Sequence, residues 1–427
     1  MNIGLDEQCR ALLNALAVRE SSPPARKEKY LNLILHVRAS AFIFRVFRIF
    51  VLAPINPDHV TTYPQTQITD IMKRISLIAA AAAILLAGCT QKQEQGQWSP
   101  EKAQAWYDGQ GWLAGCDYIP ADAINQIEMW SDSTYNHDLI EKELGWAQDI
   151  GFKTLRVYLS SIVYENDPQG LKDRMDDFLG ICREHSIRPL FVFFDDCWNP
   201  DSQYGKQPEP KSGIHNSGWV QDPPVPARAD TLTLFPKLET YVKDILTTFG
   251  DDDRILLWDL YNEPGNSWHL DSSLPLLRNV FRWAQEIRPS QPISAGLWNH
   301  DLKTFNDFQL RNSDVTTYHN YSGDPECQQN AIDTLRAYGR PIICTEYMAR
   351  TKGCTFQMAM PILKQNNVAA INWGFVAGKT NTIFAWDTPL PDITEPEVWF
   401  HDIFRQDGTP FSEEEIATIK ELTGVRN

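Results

Sequence analysis

From Trp112 to the C-terminus, short apolar runs alternate with amphipathic stretches, and no Gly- or Ser-rich linker breaks the alternation. A strand that is buried on both faces and followed by a helix-length amphipathic stretch is the unit of a parallel sheet covered by helices. The apolar runs fall at 112–117, 154–159, 188–194, 255–261, 292–297, 315–319, 341–346 and 369–374. Eight such units are what a closed barrel requires. Helical stretches are expected at 138–150, 171–185, 234–249, 274–287 and 356–366, with a closing helix at 413–422. The expected fold is therefore α/β, a (β/α)8 TIM barrel forming a single catalytic domain. A chain of 427 residues with 43% hydrophobic content can bury a core of that size.

In such a barrel the reactive groups sit where strands end, at the C-terminal face. The fourth run ends in Trp258-Asp259-Leu260-Tyr261-Asn262-Glu263-Pro264, which delivers Asn and Glu into the mouth before Pro stops the ladder. The seventh, Ile342-Ile343-Cys344-Thr345-Glu346-Tyr347, brings a second Glu to the matching height across the barrel. Cleaving an acetal needs a protonated carboxyl for the leaving oxygen and an ionised carboxylate for the electron-poor carbon. Glu263 and Glu346, each on a rigid strand end, meet that demand as a pair.

With these motifs in place the chain resembles the glycoside hydrolases of clan A, which include families 2 and 5, over most of 112–424. The resemblance rests on Asn262-Glu263 at the fourth strand and Glu346 at the seventh, and it implies that Glu263 is the acid/base and Glu346 the nucleophile. It is supported by Arg156 in Leu155-Arg156-Val157, by His319 and Tyr321 after the sixth strand, and by Trp373 on the eighth. It implies that Arg156 donates to Glu346 and holds it ionised, and that Asn262 bonds the sugar 2-hydroxyl. It also implies that Tyr321 or Tyr347 donates to Glu346, and that Trp373 forms the floor beneath the reacting ring. His319 would bind sugar or support Tyr321. The implied reaction is retaining hydrolysis of a β-linked glycan by double displacement.

Fourteen Trp and fourteen Tyr supply platforms for sugar faces as well as core. Trp298 is read as substrate-binding. Trp130, Trp198, Trp219, Trp268 and Trp386 lie in or near the expected βα loops and are candidates for subsites, with loop packing the more ordinary role for such Trp. The irregular stretch 195–233, with Trp198, Tyr204, His215 and Trp219, follows the third strand and is expected to wall the cleft. Asn299-His300 and Asp195-Asp196 also face the mouth, the Asp pair to bind sugar hydroxyls, to modulate a catalytic pKa or equally to cap backbone amides. The segment from Trp399-Phe400-His401-Asp402 to Pro410 looks like a C-terminal family signature with no substrate attached to it. No Cys/His spacing suggests zinc, so no metal or cofactor is expected, and most of the domain's six Cys read as buried thiols.

The net charge of -16 argues against nucleic acid and for a neutral oligo- or polysaccharide partner. Met72-Lys73-Arg74 followed by an apolar run to Leu86 has the layout of a signal peptide, and Leu86-Ala87-Gly88-Cys89 resembles a bacterial lipobox. By that resemblance Cys89 is lipidated and tethers the chain to a membrane. Thr90 after it favours the outer membrane of a Gram-negative bacterium. The chain then divides into an artefactual upstream extension (1–71), signal peptide (72–89), tether (90–100) and barrel (101–427). The alternatives are a transglycosylase on the same barrel and a glycan-binding surface lipoprotein without catalysis. Among substrates the reading leans to a plant β-glycan such as xylan, with mannan and glucan also open.

Overall fold

The computed structural model describes residues 96–425. Cys89, the signal segment 72–89 and the extension 1–71 lie outside the described residues, as does most of the tether. Gln97 and Trp98, at the end of that expected tether, already belong to the barrel domain. The Gln97 amide donates to the Leu310 and Ser313 carbonyls, and the Trp98 N–H donates to Asp314 at 2.7 Å. A buried Trp fixes this boundary; the Gln-rich composition before it gives no hint of it.

Eight parallel strands run β1 (Ala114–Asp117), β2 (Thr154–Tyr158), β3 (Leu190–Val192), β4 (Leu257–Asp259), β5 (Ile293–Ser294), β6 (Thr316–His319), β7 (Ile342–Glu346) and β8 (Ala369–Asn372). Hydrogen bonding follows chain order around the sheet, with β1 pairing both β2 and β8. A bridge between Leu297 and Tyr318 joins the β5 and β6 edges and closes the barrel. This is the architecture expected from the apolar runs.

The helices in chain order are α1 (Pro100–Asp108), α2 (Gln126–Trp130), α3 (His137–Asp149), α4 (Ser161–Asn166), α5 (Pro168–Glu184), α6 (Thr231–Phe249), α7 (Leu274–Ile287), α8 (Lys303–Asn312), α9 (Pro325–Arg336), α10 (Phe356–Gln365) and α11 (Glu413–Thr423). Most begin at a side-chain cap: Ser99, Asn125, Asn136, Ser160, Asp167, Asp230, Asp324, Thr355 and Ser412 each accept a first-turn N–H. Helices α8 and α9, absent from the sequence reading, are KTFNDFQLRN and PECQQNAIDTLR. Each buries few apolar residues, so the periodic signal is thin.

Strand alternation sorts side chains into two layers. Leu155, Val157, Phe191, Phe193, Trp258 and Leu260 face out and pack with Leu144, Phe178, Tyr241 and Ile245 of the helices. Leu190, Leu257, Ile343 and Ile371 fill the barrel interior, where Trp98, Ala103 and Tyr107 join them. Each fully buried side chain of this size stabilises by about 1.5–3 kcal/mol. The same alternation places Asp117, Arg156, Tyr158 and Asp259 in one buried polar group toward the C-terminal face.

Candidate active site

Arg156 on β2 is fully buried and forks into that polar group. It donates to Asp117 (2.8 Å), Asp259 (3.0 Å), the Tyr158 hydroxyl (2.7 Å), Asn262 Oδ1 (2.7 Å) and Glu346 Oε1 (2.7 Å). The sequence reading devoted this guanidinium to Glu346 alone; in the fold it serves three carboxylates. One positive charge cannot offset the burial of three acids. Burial therefore holds the carboxyls of Asp117, Asp259 and Glu346 above their ordinary range, Asp117 well above. For Glu346 the Arg156 guanidinium and the Tyr321 hydrogen bond oppose the rise, while Glu263 adds to it.

A bulge delivers Glu346. Tyr318 pairs with Cys344 but His319 pairs with Glu346, so Thr345 is the extra residue and Glu346 comes abreast of β6. There Tyr321 donates to Glu346 Oε2 at 2.8 Å, while the Tyr158 hydroxyl stands 3.4 Å from Oε1. Of the two tyrosines considered as donors, Tyr321 fills the role. Tyr347 is buried and packs edge-on against Phe356.

Glu263 sits at φ 41°, in the left-handed region, a strain on the order of 1–3 kcal/mol that the turn must hold. Asp196 holds it: it accepts from the Gly265 N–H (2.7 Å), the Tyr261 hydroxyl (2.7 Å), Ser273 (2.5 Å) and Arg228 (2.6 Å). Asp196 is thus a turn-holding residue with no face toward a sugar. Asp195 orients Asn262, accepting from its Nδ2 at 2.9 Å, and also accepts from Trp219 Nε1 and the Cys197 N–H. With Arg156 on its oxygen and Asp195 on its nitrogen, the Asn262 amide is fixed in orientation at the cavity surface.

The Glu263 carboxylate meets His319 Nδ1 at 2.7 Å, the Cys197 thiol at 3.3 Å and the Asn266 amide. Burial pushes its pKa up, against the Asn266 and Cys197 hydrogen bonds and the more distant Arg156. Trp258 of the same motif takes no part in this, since it points outward to the helix layer and donates to Gln291. His319 Nδ1 is also 3.4 Å from Glu346 Oε2, so it stands between the two carboxyls. Burial lowers the His319 pKa to about 4, which keeps the ring neutral. Gly296 makes room for it: a Cβ there would come within 3.1 Å of His319 Nε2.

One ligand atom each from Glu263, His319 and Glu346 lies within 4.8 Å of the others. Such a donor set could hold a divalent cation, at the cost of the His319 bond to Glu263. Arg156, already on Glu346, supplies positive charge there without a metal.

These groups line a cavity of about 1250 Å³. Trp198, Trp268, Trp298, Trp373, Trp386, Asn299 and His300 reach it, as does His215. Trp298 is anchored by its Nε1 on the Pro264 carbonyl, and Trp268 stands 92% exposed at the rim. Trp219 packs edge-on against Trp373 and Tyr158 from behind, and Trp130 is core, bonded to the Tyr158 carbonyl. The sequence reading did not single out Tyr158, Cys197 or Asn266. Tyr158 was findable, being two residues beyond Arg156 on the same strand face. Of the domain's cysteines, Cys116, Cys182, Cys344 and Cys354 are buried free thiols, whereas Cys327 is exposed.

No known family profile and no curated protein matches the chain. Solved structures do. The exo-β-1,4-mannosidase Op5Man5 from Opitutaceae bacterium strain TAV5 aligns with a TM-score of 0.51 at 17% identity, over 73% of this chain and 59% of that one. The GH5_18 protein of Streptomyces cattleya, in complex with GlcNAc, aligns with a TM-score of 0.53 at 11% identity, over 74% and 81%. A variant of that protein in complex with Manβ1-4GlcNAc gives 0.50 at 13% identity, over 74% and 80%. The chain shares their (β/α)8 barrel fold. It spans 59% of the length of the Opitutaceae protein, whose remainder has no counterpart in the alignment.

Proposed function

We propose that the chain is a retaining β-glycoside hydrolase in which Glu263 is the acid/base and Glu346 the nucleophile. The observation that carries this reading is the facing pair of carboxyls, with an oxygen of each within 4.8 Å and His319 Nδ1 between them. A separation near 5 Å suits direct attack by one carboxylate, whereas an inverting pair stands roughly 6.5–9.5 Å apart to admit a water. Arg156 and Tyr321 touch Glu346 directly and neither touches Glu263. When the pair shares one proton it therefore rests on Glu263, which leaves Glu346 ionised to attack.

In the first step Glu346 bonds the anomeric carbon while Glu263 protonates the departing oxygen. In the second Glu263 takes a proton from water, which attacks the same carbon and releases Glu346. Asn262 offers its amide to the sugar beside the reacting carbon, and Trp373 supports the ring face. Among β-glycans we place a β-mannoside ahead of xylan, because two of the fold relatives carry β-mannosidase or Manβ1-4GlcNAc in their names. NMR of the first product from an activated aryl glycoside tests the reaction: retained anomeric configuration is expected, and an inverted first product would overturn it. Longer oligomers in the same assay would mark transglycosylation.

We further propose, from the lipobox-like sequence, that the mature chain is lipid-anchored at Cys89 on the cell envelope. Cys89→Ala should release it from membranes; unchanged fractionation would sink the anchor.

A further inference from the structure

The cavity has one closed and one open end. On the β8 side, the loop after β3 and the loop after β8 are joined across the rim. The Asn216 N–H donates to the Thr380 carbonyl (2.8 Å), His215 Nδ1 to Phe384 O (2.7 Å), Asn381 Nδ2 to Lys211 O (2.8 Å) and Leu390 N–H to Gly213 O (3.0 Å). Rings fill the seam: His215 lies 5.1 Å from Trp198 and 5.4 Å from His401, and Trp386 lies 4.9 Å from Tyr321. Gly374 at the end of β8 permits this closure, because a Cβ there would stand 2.9 Å from His401 Cβ and 2.7 Å from Asp402 Oδ1. On the β5–β6 side the cavity runs on past Trp298 and Asn306 to Tyr338, which is 49% exposed.

The closed end carries polar atoms that nothing in the fold satisfies. Asn216 is 1% exposed and lines the cavity, yet both its amide oxygen and nitrogen are buried without a partner among the described residues. Its backbone is held at φ 45°. His401 is fully buried, lines the cavity, and leaves Nε2 without a partner among the described residues. Leaving such groups unmet costs about 1–3 kcal/mol each, so an unliganded wall of this kind points to a ligand that completes it. The tautomers follow from the other edges of the rings. His215 Nδ1 faces the Phe384 carbonyl and His401 Nδ1 faces the Met348 carbonyl at 2.6 Å, so both must carry the hydrogen there. Each Nε2 is then a bare acceptor. Burial keeps both rings neutral.

Two acceptor nitrogens and an amide that both donates and accepts make an uncharged end wall matched to hydroxyls. A carboxylate or phosphate would meet two lone pairs, and Arg350, the cation that acts on His401, is already paired with Glu415. The side of the wall follows from the proposed mechanism, on which this inference rests. Glu263 faces the leaving oxygen, and Trp298 is bonded to the carbonyl of the adjoining Pro264, so the leaving group runs out through the open end. The ring bonded by Glu346 lies over Trp373, against the closed one.

We infer that His215, Asn216 and His401 bind the hydroxyls of a single neutral sugar at the non-reducing terminus, and that the joined loops bar further sugars, making the enzyme exo-acting. The leaving side accepts an extended chain.

The test uses the barrel protein with tetrasaccharides of β-1,4-linked mannose, glucose, xylose and galactose, fluorescently labelled at the reducing end. Aryl β-glycosides of the same sugars and of glucuronic acid complete the panel. Free monosaccharide with labelled trisaccharide as the first product pair is expected, with no turnover of the glucuronide. Labelled mono- or disaccharide formed before any free monosaccharide would overturn exo action, as would glucuronide turnover at a comparable rate the neutral wall. Both results would leave the hydrolase reading standing. Failure to cleave any neutral glycoside would take that reading down, and this inference with it. Asn216→Ala and His401→Gln should raise KM for the aryl glycoside about tenfold with a smaller change in kcat. Variants with wild-type melting temperature and unchanged KM would remove these residues from the wall.

Discussion

His319 Nδ1 lies 2.7 Å from Glu263 Oε1 and 3.4 Å from Glu346 Oε2, held there by a bulge in β7 and by the missing side chain of Gly296. The sequence left His319 between sugar binding and support of Tyr321; its partner in the fold is Glu263, the proposed acid/base. Its work is to aim that carboxyl. His319→Ala should cut kcat by about 10²-fold, the low end of the range for a misplaced general acid. The loss should be larger for poor leaving groups than for activated ones, which need little protonation. A loss independent of leaving group would assign His319 to packing. Gly296→Ala should reproduce the same signature more weakly, since its methyl presses on His319 Nε2.

Arg156 ties Glu346 to Asp117 and Asp259, and the pH profile should report it. Glu346 must be ionised to attack, and burial already raises its pKa while Arg156 opposes the rise. Removing Arg156 removes a lowering contribution, so the pKa climbs further and the acidic limb of kcat/KM moves to higher pH. Arg156→Lys keeps a charge but loses the fork and should shift the limb less than Arg156→Met. The Met variant also strands buried carboxylates, at a cost of about 3–5 kcal/mol in denaturant unfolding. An acidic limb that stays in place in both variants would separate Arg156 from Glu346.

How much of this was legible beforehand follows from where each residue sits. Glu263, Glu346 and Trp373 lie at or just past the ends of apolar runs and Arg156 inside one, and strand periodicity together with barrel closure brings them to one mouth. Cys197 and Asn266 lie on irregular backbone, where no period aims a side chain. The His215, Asn216 and His401 wall depends on bonds between loops some 170 residues apart, such as His215 to Phe384. Hydrophobic patterning carries no information on that pairing. Asp195 and Asp196 are adjacent in sequence yet serve different partners, Asn262 and the turn at Gly265, because successive side chains point opposite ways.

Cys197 offers a second handle on the pH profile, at the other limb. Its thiol donates toward Glu263 Oε2 and thereby favours the ionised form of that carboxyl. Cys197→Ala should raise the Glu263 pKa and move the basic limb, which marks loss of the acid's proton, to higher pH. A basic limb that moves down or holds still would contradict the contact. Burial, with Asp195, Glu263 and Glu346 beside it, holds the Cys197 thiol well above 9.0, so little thiolate forms near neutrality. Iodoacetamide on the native protein should therefore label the exposed Cys327 and spare Cys197, as peptide mass spectrometry would read.

The division of labour between the two Glu is separable by chemical rescue. Glu346→Ala removes the group that bonds the anomeric carbon, so turnover should vanish for every β-glycoside regardless of leaving group. Glu263→Ala removes the proton donor and the later base, so an activated aryl glycoside should still glycosylate Glu346 while hydrolysis of the intermediate stalls. Azide, small and needing no deprotonation, should enter the space left by Glu263 and attack that intermediate. The product is then a glycosyl azide of retained configuration, formed at a rate that rises with azide concentration. In Glu346→Ala, azide entering on the opposite face should yield the inverted azide. Exchange of these outcomes between the two variants would reverse the roles, and an inverted azide from both variants would remove the covalent intermediate altogether.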